Sequence, residues 1–186
     1  LLKQALKIMD EADGLVAHFG AKFDKPYLQA RLLQAGLKPL SENKLTDTCL
    51  LARTHLRLSS NRLGNLAEFF KVNTKKMDKR GGWPAWWQGA LRGDKKSIEK
   101  MAVYCKQDVQ CLEEVYLKLR PVIPTKYLPV NQAIGDDSWT CPACGRHRKQ
   151  HHGYYFSEKK RWRRSQCQSC GKWVRATKAE ATVSGV

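Results

Sequence analysis

The sequence predicts an α/β domain joined to a small, cysteine-held β-hairpin module. Three observations carry this reading. Short apolar runs alternate with segments of helical periodicity up to Leu119, a proline-bearing stretch then interrupts all periodicity, and two Cys-x2-Cys pairs follow it. Of the 186 residues, 42% are hydrophobic, enough for a packed core. No apolar run reaches the roughly 18 residues that a membrane helix needs.

The elements follow in order. Leu2, Ala5, Leu6 and Met9 recur at helical spacing, so residues 1–9 read as the end of a helix that Asp10 to Gly14 closes. Leu15 to Phe19 is a short apolar run and reads as a buried strand. Asp24 to Ala35 reads as a helix, with Pro26 in its first turn and Gly36 just past its end. Leu45 to Ala52 resembles a second strand, and Leu63 to Phe70 a short helix. Residues 73–94 contain Gly81-Gly82 and Trp83, Trp86 and Trp87, and read as irregular. These tryptophans suit a cover over the core or, alternatively, base stacking. Lys95 to Leu119 is a long helix, with apolar residues at 98, 101, 105, 109, 112, 116 and 119. The expected boundaries are a first domain over 1–122, a linker over 123–137, a cysteine-rich module over 138–176 and a tail over 177–186.

Charge narrows the partners. The chain carries 34 Lys+Arg against 17 Asp+Glu, a net +17. Residues 1–130 hold 23 and 13 of these, and residues 131–186 hold 11 and 4, so the smaller part is the more densely cationic. Such a surplus favours phosphate-rich partners through counterion release; a merely solvated cationic face is the plainer alternative. No basic amphipathic anchor or lipidation motif points to a membrane. Leu1-Leu2-Lys3-Gln4 lacks a signal-peptide pattern, and the missing initial Met reads as a fragment of a longer protein.

Cys141-Pro142-Ala143-Cys144-Gly145 and Cys167-Gln168-Ser169-Cys170-Gly171 form a C-x2-C-x22-C-x2-C pattern. Two tight turns supply two thiolates each, the ligand set of a structural Zn²⁺ site, and metal binding then supplies the folding energy of so small a module. Redox or disulfide use of the pairs is the alternative. The other cysteines, Cys49, Cys105 and Cys111, lie in apolar segments and read as packed side chains, which fits a reducing compartment. Between the pairs, Tyr154-Tyr155-Phe156 and Arg161-Trp162-Arg163-Arg164 read as a hairpin, with Trp162 and Trp173 in its small core. His147, His151 and His152 read as loop residues. Lys159, Lys160, Arg161, Arg163 and Arg164 beside Tyr155 are the candidate nucleic-acid contacts, since cations attract phosphate and aromatic faces stack bases.

Three features of the first domain bear on chemistry. Asp24 follows the first strand, Tyr104 and Asp108 stand four apart on one helix face, and Asp47-Thr48 lies in the second strand segment. Ala17-His18, Phe23-Asp24 and Tyr104 to Asp108, with Asp47-Thr48, Ser60 to Ala67 and Gly93-Asp94, resemble the motifs of DEDD-type 3′–5′ exonucleases. These belong to the RNase H-like superfamily, and the third motif is of the tyrosine variety. A phage and bacterial group of such proteins ends in a zinc ribbon, so the resemblance spans nearly the whole chain. Two departures stand out: Phe19 replaces the usual Asn after the His, and no Asp-x-Glu first motif is present.

The resemblance implies an RNase H-like exonuclease fold lacking its first strands, plus a C-terminal zinc ribbon. It implies two Mg²⁺ or Mn²⁺ ions, with Asp108 ligating one and Asp24 holding the other directly or through water. Tyr104 would orient the attacking water, and two further ligands would come from the missing first strand. A nucleic-acid partner, DNA or RNA, and a bacterial or phage-infected cytoplasm follow. The chain by itself is expected to be nearly inert, and poorly soluble because a partial sheet exposes an edge. The alternatives are a catalytically dead exonuclease fold that binds nucleic acid, and a zinc-stabilised module that contacts protein.

Overall fold

A computed structural model describes residues 1–41, 44–74, 83–125, 139–157, 160–176 and 178–181. The chain divides into two compact units, Leu1–Leu119 and Arg120–Val186.

The first unit runs α1 (Leu2–Glu11), β1 (Gly14–Ala17), α2 (Asp24–Gln34), β2 (Lys44–Asp47), α3 (Thr48–His55), α4 (Leu63–Phe69), α5 (Trp83–Leu91) and α6 (Lys95–Leu119). Strands β1 and β2 pair in parallel, Gly14 opposite Lys44 and Ala17 opposite Asp47. A parallel pair needs a crossover, and α2 supplies it. Leu2, Ala5, Leu6 and Met9 form the half-buried stripe of α1, and Asp10 ties that helix to Ser41 through a 2.7 Å bond from the serine hydroxyl.

Four readings change. First, β1 stops at Ala17 and is half-buried rather than buried, because Phe19 takes a left-handed backbone (φ 66°) that no strand continues through. Second, the apolar segment from Leu45 to Ala52 splits. Only its start is strand, and Thr48–His55 is helix. Asp47 decides this, since its carboxylate accepts the Cys49 and Leu50 amides as an N-cap. Arg53 and His55 suit the other end of the helix dipole. Third, Trp83–Leu91 is helical rather than irregular, with Trp87 exposed; residues 75–82 lie outside the described residues. Fourth, the buried residues of α6 are Tyr104, Cys111, Val115, Tyr116 and Leu119, while Ile98 and Val109 face out and Cys105 is exposed. Counting apolar residues found the C-terminal part of this buried face, Tyr116 and Leu119, but drifted off it towards the N-terminus, where Tyr104 and Asp108 occupy its positions. Helix α6 packs against α3, α4 and α5. With Leu51, Ala52, Leu63, Leu66 and Ala67 it makes the core of the unit, each large aliphatic side chain there contributing about 1.5–3 kcal/mol.

The second unit contains β3 (Lys149–Ser157), β4 (Lys160–Cys167), β5 (Trp173–Arg175) and β6 (Glu180–Ala181). Strand β4 is central, antiparallel to β3, β5 and β6. His151 and His152 thus lie in a strand, with a register shift between His151 and Tyr154. Within the expected tail, Glu180–Ala181 pairs with Lys160 and Arg161. Within the expected linker, Ile123 is buried and its carbonyl accepts the Lys172 ammonium; residues 126–138 lie outside the described residues. Trp173 is 47% exposed and is not a core residue.

Candidate active site and four-cysteine centre

Asp24 opens α2, where the positive end of the helix favours its charge. The loop before it is held by close approach. A Cβ on Gly20 would lie 2.4 Å from the Ala17 side chain and 3.3 Å from Asp24 Oδ2, so glycine is needed there. Asp47 holds the same loop from below. Its Oδ1 accepts the Phe19 amide at 2.9 Å and its Oδ2 the Ala21 amide at 3.0 Å, while Oδ1 also accepts the Cys49 and Leu50 amides at 3.1 and 3.2 Å. One 5%-exposed carboxylate therefore joins the Asp24 loop to the start of α3. Thr48 adds a second tie. Its hydroxyl donates to the Ala17 carbonyl at 3.0 Å and lies 2.9 Å from His18 Nδ1. The single hydroxyl proton is committed to Ala17, so His18 carries its proton on Nδ1.

Tyr104 and Asp108 come from α6. Tyr104 is 5% exposed and hydrogen-bonds Asp108; burial first, then that bond, pushes its phenol far up. Tyr104 thus stays protonated through the neutral range and serves Asp108 as a donor rather than acting as a base. Asp94 caps the start of α6 by accepting the Ser97 amide and hydroxyl, which holds its carboxyl below the usual range. Asp24 and Asp108 line one cleft of about 920 Å³, together with His18, Phe19, Arg53 and Arg62. Buried Cys49 also lines it, its thiol raised by burial and then by Asp47. The two arginines and the tie through Asp47 were not singled out from sequence. An Asp directly before the helix-forming run from Thr48 was the available signal for the latter.

A family model described as RNase H superfamily matches residues 1–120. The chain belongs to the RNase H superfamily. No curated protein and no solved structure matches it. Membership in the RNase H superfamily brings nuclease-type chemistry on nucleic acid, typically dependent on divalent metal. Hard cations take carboxylate oxygens, and in this RNase H superfamily member Asp24 and Asp108 offer two in one cleft. Among the described residues no third acid joins them; the four cysteines are the one group of three or more ligand-type side chains whose atoms lie within 4.8 Å of one another.

In that group Cys141 Sγ and Cys170 Sγ stand 3.7 Å apart, as do Cys144 Sγ and Cys167 Sγ. Tetrahedral thiolates about 2.3 Å from a metal have edges of about 3.8 Å, so the spacing fits Zn²⁺. None of the seven cysteines is joined in a disulfide. The two Cys-x2-Cys-Gly turns repeat one hydrogen-bond scheme. Cys141 and Cys167 amides donate to the Arg146 and Lys172 carbonyls, and the Gly145 and Gly171 amides donate back to Cys141 and Cys167, all at 2.9 Å. Both glycines have φ near 74° (73° and 74°), where a side chain is strained. Burial raises the Cys167 thiol, but the Ser169 and Cys170 amides together with the Cys144 and Cys141 thiols outweigh it and hold it at about 7; burial drives Cys170 up to about 12. The cluster is compatible with a zinc ribbon.

The candidate nucleic-acid residues do not share a face. Residues opposite one another on paired strands point the same way. Tyr155 faces Trp162, with Arg164, Trp173 and Arg175 on that side. Arg161 and Arg163 are on the other side with Phe156 and Tyr154, and both pair with Glu180, at 3.2 and 2.8 Å. Lys160, two residues from Trp162, joins the first face. Lys159 lies outside the described residues.

Proposed function

We propose that the first unit is a metal-dependent 3′–5′ exonuclease domain of the DEDD tyrosine type, acting on DNA or RNA in the cytoplasm of a bacterium or phage-infected host. The second unit is proposed as a structural zinc ribbon over 138–176, held by Cys141, Cys144, Cys167 and Cys170. The observation that carries the nuclease reading is that Asp24 and Asp108, from elements far apart in sequence, line the same cleft of an RNase H superfamily member. Bound Mg²⁺ or Mn²⁺ would activate water and stabilise the leaving oxygen. Asp24 and Asp108 would hold the metal. Tyr104, protonated and bonded to Asp108, would fix that carboxylate and orient water beside it. Arg53 and Arg62 supply positive charge to the substrate phosphates.

The 186 residues contain no Asp-x-Glu. Two of the four carboxylates that the exonuclease pattern uses are thus not in this chain, and its own turnover is expected to be low. The same observation favours a second reading, an exonuclease fold that binds nucleic acid without cutting it.

The test is Mn²⁺ titration followed by electron paramagnetic resonance, alongside degradation of a 3′-labelled oligonucleotide. Weak Mn²⁺ binding is expected, reduced at least tenfold by Asp24→Asn and by Asp108→Asn in folded protein. Unchanged Mn²⁺ affinity in both variants would remove the cleft as the metal site. Robust cleavage by this chain alone would refute the account of the carboxylates.

A further inference from the structure

We propose that one face of the ribbon sheet, built from Tyr155, Trp162, Arg164, Trp173 and Arg175, is a binding surface for single-stranded nucleic acid. It would grip backbone phosphates with guanidinium edges and bases with ring faces. This goes beyond the exonuclease reading, since it requires neither metal in the cleft nor turnover.

The argument begins with the rings. Tyr155 and Trp162 are cross-strand neighbours, centroids 5.8 Å apart. The Arg175 guanidinium lies over both, at 5.0 and 4.9 Å from their centroids. Arg164 lies over Trp173 at 4.9 Å. A guanidinium held over a ring has one face shielded from water, while the N–H donors it has not otherwise used point away at its edge, suited to phosphate contact; Arg164 spends its Nε–H on the His152 carbonyl at 3.3 Å and keeps its two NH₂ groups for this. Tyr155 is 48% and Trp173 47% exposed, so apolar ring surface remains available to a base.

Charge singles out this face. Glu180 is the one described carboxylate between residues 139 and 181, and it is used on the opposite face against Arg161 and Arg163. On the ring-bearing face, Lys160, Arg164 and Arg175 have no described acid among them. The arrangement of flat rings interleaved with positive charge complements a chain of stackable bases joined by phosphates. A duplex hides its base faces and meets only the charge. A single strand satisfies both components.

The experiment measures fluorescence anisotropy of a short labelled oligo(dT) with the full 186-residue chain, without added divalent ion, and quenching of tryptophan emission. Two double variants remove equal charge: Arg164→Ala/Arg175→Ala on the proposed face and Arg161→Ala/Arg163→Ala on the other. The first should weaken binding at least tenfold and flatten the log–log salt dependence by about 1.4, from about 0.7 per single-strand phosphate; the second should weaken it less than threefold. Arg164→Lys/Arg175→Lys keeps charge and removes planar stacking, and should recover only part of the loss. Zinc content and circular dichroism of each variant establish that it is folded. Equal losses in the two Ala variants, full recovery by lysine, absence of tryptophan quenching, tighter binding of duplex than of single strand, or binding to phosphatidylserine vesicles without binding to oligo(dT) would each overturn the proposal. Loss of turnover with oligo(dT) binding intact would bear on the cleft and not on this face.

Discussion

Replacing Asp47 is the sharpest perturbation of the first unit. Its carboxylate accepts four backbone amides, two from the loop that carries Asp24 and two from the first turn of α3. Loss of an N-cap costs about 1 kcal/mol. A hydrogen bond to a charged acceptor contributes roughly 1.5–3 kcal/mol, and a buried donor left unmet costs about as much. Asp47→Ala should therefore destabilise the loop and helix start by about 3–4 kcal/mol, less whatever water recovers at the half-buried loop amides. That is a large share of the roughly 5–15 kcal/mol that holds a domain together. The assay is native-state hydrogen exchange read by NMR at Phe19, Ala21, Cys49 and Leu50, where 3 kcal/mol is roughly a 150-fold loss of protection. Asp47→Asn gives a finer result. Its oxygen can keep the three amides at Oδ1, while its NH₂ would face the Ala21 amide donor to donor. Protection at Ala21 should then fall more than at Cys49 or Leu50. Equal protection at all four amides in wild type and Asp47→Ala would refute the argument that this carboxylate holds the loop.

Other expectations follow from single features. Phe19 sits at φ 66°, a left-handed conformation that costs most side chains about 1–2 kcal/mol and asparagine less, so Phe19→Asn should raise the denaturation midpoint by the equivalent of about 1 kcal/mol; a fall would show that the ring contributes more than the strain costs. Glu114 accepts the Asn73 and Thr74 amides and the Thr74 hydroxyl, and the hydroxyl bond foremost holds its carboxyl below the ordinary 4.5. Its folded value is depressed, so the tie is present above the unfolded value and is lost as pH falls through the folded one; the amide shifts of residues 73 and 74 should titrate together below pH ~4.5 and cease to do so in Glu114→Gln. Chelation should release one Zn²⁺ per chain, more readily at low pH because thiolate ligands bind protons, and should abolish the NMR dispersion of residues 139–176 while leaving that of α6 in place; full retention of that dispersion after metal release would refute a structural zinc.

How much was legible in the sequence depended on whether local chemistry or tertiary context set the outcome. The two cysteine turns could be read because spacing and glycine position are local requirements of the turn. Helix α2 could be read from Pro26 in its first turn and Gly36 just past its end, which are local signals too. The segment Leu45 to Ala52 could not, since a short apolar run fits strand and helix alike and only the Asp47 cap divides it. The inner face of α6 was read at Tyr116 and Leu119 and lost towards the N-terminus, because Tyr104 and Asp108 there are polar residues that an apolar count passes over. The separation of Arg164 from Arg161 and Arg163 depends on strand alternation and on Glu180, which reads as tail from sequence alone.

The pairing of β6 with β4 has a mechanical consequence. The four sulfurs gather where Lys149 meets Cys167, at one end of the β3–β4 pair, whereas Glu180–Ala181 pairs with Lys160 and Arg161 at its other end. Beyond its strand pairing the small sheet thus has a tie at each end, the four-cysteine cluster at its root and an ionic clasp at its tip. Cutting the polypeptide after Ala176 would leave the β3–β4 pairing in place but remove Glu180, releasing two guanidinium groups to the solvent and turning a two-faced sheet into one that is cationic on both sides.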